Sequence, residues 1–286
     1  MTKPVKYHLQ DPTWCPGCGI YGIFTAFKRA AAALDLDPEQ MVIVTGIGCH
    51  GRFNNYFKAY GFHGLHGRAL PVATGIKLSN SALQVVVISG DGDAYSIGLA
   101  HFIHACRRNI NLTCLVVNNR IYALTQGQTS PTSARGFVSI SSPFGSKEEA
   151  LDGPRLGLAA GATFIGRGFS GEVSHLANLI KKAIEHKGLA LIDILSPCVI
   201  HNKVNTYSWY KQHIYKLDED QNYDPHHKSL AWAKISAQGK IAIGLIYEEH
   251  KPSFETLVCP DEKKTLAFTE LKIKNSVLEK MMDKFE

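Results

Sequence analysis

Four short apolar runs most constrain what this chain can fold into: MVIVTGIGC from residue 41, LQVVVISGDGD from residue 83, NLTCLVVNN from residue 111 and LALIDILSPC from residue 189. Each is of strand length, continuous rather than alternating, and ends in glycine, asparagine or proline. Unbroken apolar strands are covered on both faces, the signature of a parallel sheet. The covers lie between them. Residues 20–34 repeat apolar side chains at helical spacing and stop at Asp37-Pro38; AYSIGLAHFIHACRRN opens a helix directly after the glycines; GEVSHLANLIKKAIEHKG is an amphipathic helix following the strand ATFIGRG. The expectation is an α/β fold, a parallel sheet with helices on both faces.

Ligands of such sheets gather beyond the carboxyl ends of the strands. Three features sit there: Gly48-Cys49, the Gly90-Asp91-Gly92-Asp93 turn, and Asn118-Asn119. Residues 120–154, rich in Ser, Thr, Gly and Pro, are read as an ordered loop over the site, because loops this long in compact domains are mostly functional. Past residue 200 the periodicity weakens. Residues 1–200 are therefore expected to form the site-bearing α/β domain and residues 201–286 an extension packed on it; Cys259, in that extension, says nothing further.

Composition removes several classes. With 45% hydrophobic and 20% charged residues in 286, the chain is not a disordered one. The net charge of +6 is spread out rather than clustered, so no nucleic-acid partner is expected, although the positive surface suits an acidic protein. No apolar run reaches the length of a membrane span and residues 1–20 hold no leader-like apolar region, so the expectation is no membrane and a cytoplasmic location. There, seven cysteines are better suited to metal or chemistry than to structural disulfides.

GDGDAYSIG followed by LVVNNRIYALT sets out a phosphate and metal site. The glycines let backbone N–H groups face an anion. Asp91 offers a carboxylate, and the next strand ends in the amide of Asn119. Two such hard oxygens, a backbone carbonyl, phosphate and water suit octahedral Mg²⁺. The spacing resembles the thiamine-diphosphate-binding motif. That resemblance implies Asp91, the Asn119 side chain and the Ile121 carbonyl as Mg²⁺ ligands, leaves Asn118 to hydrogen bonding, and puts Asp93 near the diphosphate through its backbone.

Cys15, Cys18, Cys49 and Cys198 stand where a shared site could form, while Cys106 and Cys114 read as core. The residues alone leave three readings of the quartet open. A thiol–disulfide pair would use only Cys15 and Cys18. A zinc site usually takes two close pairs. A cubane iron–sulfur cluster takes four thiolates and tolerates dispersion.

The blocks WCPGCG, GIGCHGR, HGLHGRALPVATGIKLSN, GDGDAYSIG, HACRRN, NNRIYALT, GQTSPT, HKGLALIDILSPC and WYKQHIYKLD, spanning residues 11–220, resemble the β subunit of 2-oxoacid:ferredoxin oxidoreductases. The resemblance implies oxidative decarboxylation of a 2-oxoacid with coenzyme A, thiamine diphosphate and Mg²⁺, electrons passing through a [4Fe–4S] cluster on the four cysteines to ferredoxin. It implies a cofactor cradle of Ile47, Gly48, Cys49, His50, Gly64, Leu65, His66, Gly67, Gly92, Asp93, Ala123 and Leu124. His66 is the expected donor to phosphate or substrate, and Arg52 and Arg68 are candidates for substrate carboxylates. The chain has Gln126 where the family pattern has Lys; with Arg52 and His66-Gly67-Arg68 present, 2-oxoglutarate is the first expectation and pyruvate the second. The family's ring-activating Glu has no counterpart, since no Glu occurs between Gln40 and Lys147; an α subunit is expected to supply it. The competing readings are a non-redox thiamine-dependent decarboxylase or synthase, which the cysteines oppose, and a zinc-stabilised binding module, which the spacing of Asp91 and Asn119 opposes.

Overall fold

The computed structural model describes residues 6–237, 239–258, 265–269 and 274–284. The strands are β1 (Met41–Thr45), β2 (Tyr60–His63), β3 (Gln84–Gly90), β4 (Thr113–Asn118), β5 (Phe164–Phe169), β6 (Ala190–Leu195), β7 (Ile214–Lys216) and β8 (Ile241–Glu248). The helices that cover them are α1 (Ile20–Ala33), α2 (Phe53–Tyr56), α3 (Ala69–Ser79), α4 (Leu99–Arg108), α5 (Gly153–Ala160), α6 (Val173–Glu185), α7 (Tyr207–His213) and α8 (Lys228–Ser236). They build one eight-stranded sheet of order β2-β1-β3-β4-β6-β5-β8-β7. Every pairing is parallel except β5 with β8.

Period-two alternation within the apolar runs feeds two cores, one on each face. In β1, Met41 and Ile43 face the core under α1 and α6, whereas Val42 and Val44 face the core under α3, α4, α5 and α8. Cys106 and Cys114 are fully buried in the second core, as small hydrophobes. Cys259 lies outside the described residues.

The C-terminal segment does more than pack on the core. β8 pairs with β5 and β7 pairs with β8, so residues 214–248 extend the same sheet. Gly244, at φ +118°, and the register shift opposite Ile165 and Gly166 break the apolar rhythm that would have announced β8. The helix expected straight after the glycines is also divided: Asp93–Ile97 form a π-helical turn, Gly98 intervenes, and α4 begins at Leu99. Among the described residues no helix is long and apolar enough to cross a membrane.

Candidate active site

Because β1, β2, β3, β4 and β6 run in the same direction, the segments after Thr45, His63, Gly90, Asn118 and Leu195 all leave from one edge of the sheet. The order reverses between β1 and β3, the switch point at which an open sheet leaves a crevice. A cavity of about 300 Å³ lies there, lined by Ile47, Gly48, Cys49, His50, His66, Asp91, Gly92, Asp93, Asn119, Ile121, Ala123 and Leu124, with Ile20, Gly90, Val117, Tyr122 and Thr125 completing the wall.

Asp93 organises the rim. Its carboxylate accepts from the backbone N–H of Gly67 at 2.6 Å and of Ile47 at 3.3 Å, and from the Ser89 hydroxyl. His66 Nδ1 stands 2.8 Å and His50 Nε2 3.8 Å from its oxygens, neither aligned as a hydrogen bond. Burial would raise the pKa of this carboxyl; His50, Ser89 and the Gly67 N–H outweigh burial and hold it down to about 2. The group is thus an anion that ties the segments after β1 and β2 to the end of β3. Gly46 makes room for it: a Cβ there would come 1.8 Å from Asp93 Oδ2. The sequence reading gave Asp93 only a backbone role, and its side chain proves to be the hub.

Asp91 is buried, and its Oδ2 accepts from Ser130 and Thr132, each at 2.6 Å. Burial raises its pKa against the pull of these two hydroxyls, so a metal cation would be a more effective partner than either. Asn119 turns its Oδ1 to the N–H of Ile121 at 3.0 Å, closing the turn that presents the Ile121 carbonyl. Asn118 faces sideways, donating to both oxygens of Asp193 on β6 at 3.0 and 3.2 Å, with its Oδ1 2.9 Å from Thr132 Oγ1. Ser130 and Thr132 belong to the irregular segment between β4 and α5, which these contacts pin over the site.

The four cysteines come together from three segments. A second cavity, of about 80 Å³, is lined by Cys15, Cys18, Cys49 and Cys198, and shares Ile20, Cys49, Asn119 and Ala123 with the larger one. Two bonds fix this convergence. The indole of Trp14 donates to the Cys49 carbonyl at 2.8 Å, and the Gly19 N–H donates to the Pro197 carbonyl at 3.0 Å. Burial, reinforced by the other three sulfurs, pushes the Cys18 thiol up to about 11, and burial likewise raises Cys49. Sulfurs on one tetrahedral zinc would stand roughly 4 Å apart, given Zn–S bonds of about 2.3 Å. No three of these sulfurs lie within 4.8 Å of one another.

Some expected residues lie elsewhere. Leu65 is 77% exposed and does not line the cavity; Gly64 bonds back to the Thr45 carbonyl, and Gly67 serves the rim through its N–H. Arg52 is not in the cavity wall either: its guanidinium donates to Thr13 Oγ1 at 2.9 Å, beside the cysteine-bearing turn. Arg68 donates to the carbonyls of Gly67 and Ile97. Both arginines thus make their hydrogen bonds outside the cavity wall in this chain by itself. Sequence reasoning missed Tyr122, whose ring closes over Gly92 and whose hydroxyl donates to the Gly92 carbonyl at 3.2 Å. It also missed the roles of Trp14, Ser130 and Thr132; GQTSPT carried the signal for the last two.

The family model described as the thiamine pyrophosphate enzyme, C-terminal TPP-binding domain matches residues 46–194, and the model for the C-terminal part of the pyruvate ferredoxin oxidoreductase β chain matches residues 198–260. The protein is 48% identical over 214 residues to the 2-oxoacid:ferredoxin oxidoreductase subunit β of Saccharolobus solfataricus, covering 74% of this chain and 70% of the relative. It is 37% identical over 258 residues to the 2-oxoglutarate synthase subunit KorB of Methanocaldococcus jannaschii, covering 89% and 95%. Among solved structures, the 2-oxoglutarate:ferredoxin oxidoreductase of Magnetococcus marinus with 2-oxoglutarate, coenzyme A and succinyl-CoA bound superposes with a TM-score of 0.91 at 35% identity, over 97% of this chain and 95% of that one.

Proposed function

The chain belongs to the β subunits of the 2-oxoacid:ferredoxin oxidoreductases, and we propose that it carries the cofactor-binding half of a coenzyme A-dependent enzyme whose preferred substrate is 2-oxoglutarate, with pyruvate second. One observation carries the reading: a cavity ringed by four cysteines shares a wall with the cavity that holds Asp91 and Asn119. A non-redox thiamine enzyme has no use for that quartet.

The residues fit the implied groups. The larger cavity has apolar walls at Ile20, Ile47, Val117, Ile121 and Leu124 and hard oxygen donors at Asp91 and Asn119, the set required by an aromatic diphosphate with its metal. Asp91, the Asn119 side chain and the Ile121 carbonyl would hold Mg²⁺; Cys15, Cys18, Cys49 and Cys198 would hold a [4Fe–4S] cluster. When bound, thiamine diphosphate supplies the electron sink for decarboxylation and the cluster the route for electrons to ferredoxin. The protein orients and shields these groups. Asp93 fixes the Ile47 and Gly67 backbones, and His66, whose Nδ1 lies 2.8 Å from that carboxylate, stands in the cavity wall as the donor to phosphate or substrate. Tyr122 and the segment bearing Ser130 and Thr132 cover the Asp91 end and keep water from it.

We assign the missing ring-activating Glu to an α subunit. Val138, Ile140 and Phe144, exposed at 65%, 72% and 90%, offer an apolar face for its docking. The division at residue 200 is one of sequence segments sharing a sheet. A cytoplasmic location suits cysteines that must stay reduced.

The test is iron and acid-labile sulfide content of the anaerobically purified chain, with an EPR spectrum after dithionite reduction. Expected are close to four of each and a reduced-cluster signal, with coenzyme A-dependent reduction of a low-potential acceptor only when the α subunit is added. Stoichiometric zinc, or no metal, would overturn the reading.

A further inference from the structure

Away from those residues, where α6 ends and β8 leaves the sheet, His186, Glu248 and His250 bring three ligand atoms within 4.8 Å of one another. They line a separate cavity of about 360 Å³. His186 is 4% exposed, and its Nδ1 has no hydrogen-bond partner.

The hydrogen bonds around His186 determine its tautomer. Asn109 Oδ1 accepts from the Leu189 N–H at 2.9 Å and from the Thr163 hydroxyl at 2.7 Å. The single Thr163 proton is thereby committed to Asn109. Thr163 Oγ1 also lies 2.8 Å from His186 Nε2, so it can only accept there, and Nε2 carries the ring proton. In the neutral ring Nδ1 is then a bare lone pair, and it points at Glu248 Oε1 from 3.5 Å. Two acceptors thus stand 3.5 Å apart. A proton or a metal cation would relieve this. Burial lowers the His186 pKa against the attraction of Glu248, which disfavours the proton. The His250 ring stacks beside His186 with centroids 5.9 Å apart and brings a third donor.

We propose that His186 Nδ1, Glu248 and His250 form a zinc site, with the Leu189–Asn109–Thr163 chain holding the buried imidazole in its metal-ready tautomer. Two imidazoles and one carboxylate are a zinc donor set, and the outer hydrogen bond to the far ring nitrogen is the usual support for a metal-bound histidine. Ligand atoms around zinc stand about 3.3 Å apart, so closure requires the exposed His250 to move by about an ångström. Lys182, Glu185 and Lys187 on the rim are exposed, so water screens their charges. The ion would fasten the end of β8 to the end of α6. The Glu249 N–H already donates to the Thr163 carbonyl there at 2.7 Å.

The experiment uses the anaerobically purified full chain with its iron in place, incubated with one to three equivalents of zinc and gel-filtered. Zinc and iron are then counted, and the thermal midpoint is measured with and without zinc, in wild type and in His250→Ala and Glu248→Gln. One zinc retained per chain at unchanged iron is expected, with a raised midpoint, both lost in His250→Ala and weakened at least tenfold in Glu248→Gln. His250 is exposed, so its replacement spares the fold. Three results would overturn the proposal: no retained zinc in wild type, equal zinc in His250→Ala, or zinc gained only as iron is lost. The comparison of wild type with His250→Ala reads the same whatever the four cysteines hold, so it fails independently of the oxidoreductase reading.

Discussion

Trp14 Nε1 donates to the backbone carbonyl of Cys49 at 2.8 Å, across 35 residues, joining the two segments that bring three of the four clustered cysteines. The ring is held among Tyr21, Phe24, Phe53 and Tyr56 at centroid distances of 4.9 to 5.6 Å. Trp14→Phe keeps an aromatic ring there and removes the donor. Expected are a stability loss of about 1–2 kcal/mol and faster loss of iron to a chelator, followed by the decay of visible absorbance.

Asp93 makes the site sensitive to acid. Its folded pKa of about 2 lies below the ordinary 3.8, so the contribution is present in full above pH 4 and is lost as pH falls toward 2. The shift corresponds to roughly 2 kcal/mol. Asp93→Asn should be destabilised by about that amount at pH 7, and its gap from wild type should close on acidification. Urea unfolding of both proteins between pH 3 and 7 measures this; a gap independent of pH would show that the charge is not what holds the rim.

Thr132 touches both Asp91 and Asn118, at 2.6 and 2.9 Å. Thr132→Val keeps the shape and removes the hydroxyl. Loss of such an outer contact typically weakens metal binding ten- to a hundredfold. The apparent affinity for thiamine diphosphate, titrated by tryptophan fluorescence at limiting Mg²⁺, should fall by about that range and recover at high Mg²⁺.

Gly19 sits where the turn bearing Cys15 and Cys18 meets the end of β6. A Cβ there would come 2.4 Å from Ser196 Oγ and 2.9 Å from Ser170 Oγ. Gly19→Ala should push this turn away from Cys198 at a cost of about 1–3 kcal/mol. Iron content should drop more than the thermal midpoint does, because the displacement falls on the cysteines.

Phe144 is 90% exposed on the segment between β4 and α5. Phe144→Asp should leave the iron content of the isolated chain unchanged and weaken its association with the α subunit at least tenfold, measured by analytical ultracentrifugation of the mixed subunits. Unchanged association would place the docking face elsewhere.

Much was settled by the order of residues. Continuous apolar runs at 41–45, 84–90, 113–118 and 190–195 can only be satisfied when both faces are covered, which dictates a parallel sheet. Parallel strands end on one edge, so Cys49, Asp91, Asn119 and Cys198 were bound to be neighbours there. β2 and β8 were not legible: β2 is four exposed residues, and β8 is broken by Gly244. Nor was the use made of the side chains. Whether Arg52 reaches a substrate or Thr13, and whether Asp93 works through its backbone or its side chain, depends on partners 39 and 26 residues away. Whether His186 keeps a bare nitrogen depends on Thr163, just before β5, and on Glu248, at the end of β8. Periodicity records only which face a residue takes. Hydrogen bonds are directional and saturable, so a polar group's role follows from which donors and acceptors the packed fold leaves within about 3 Å of it.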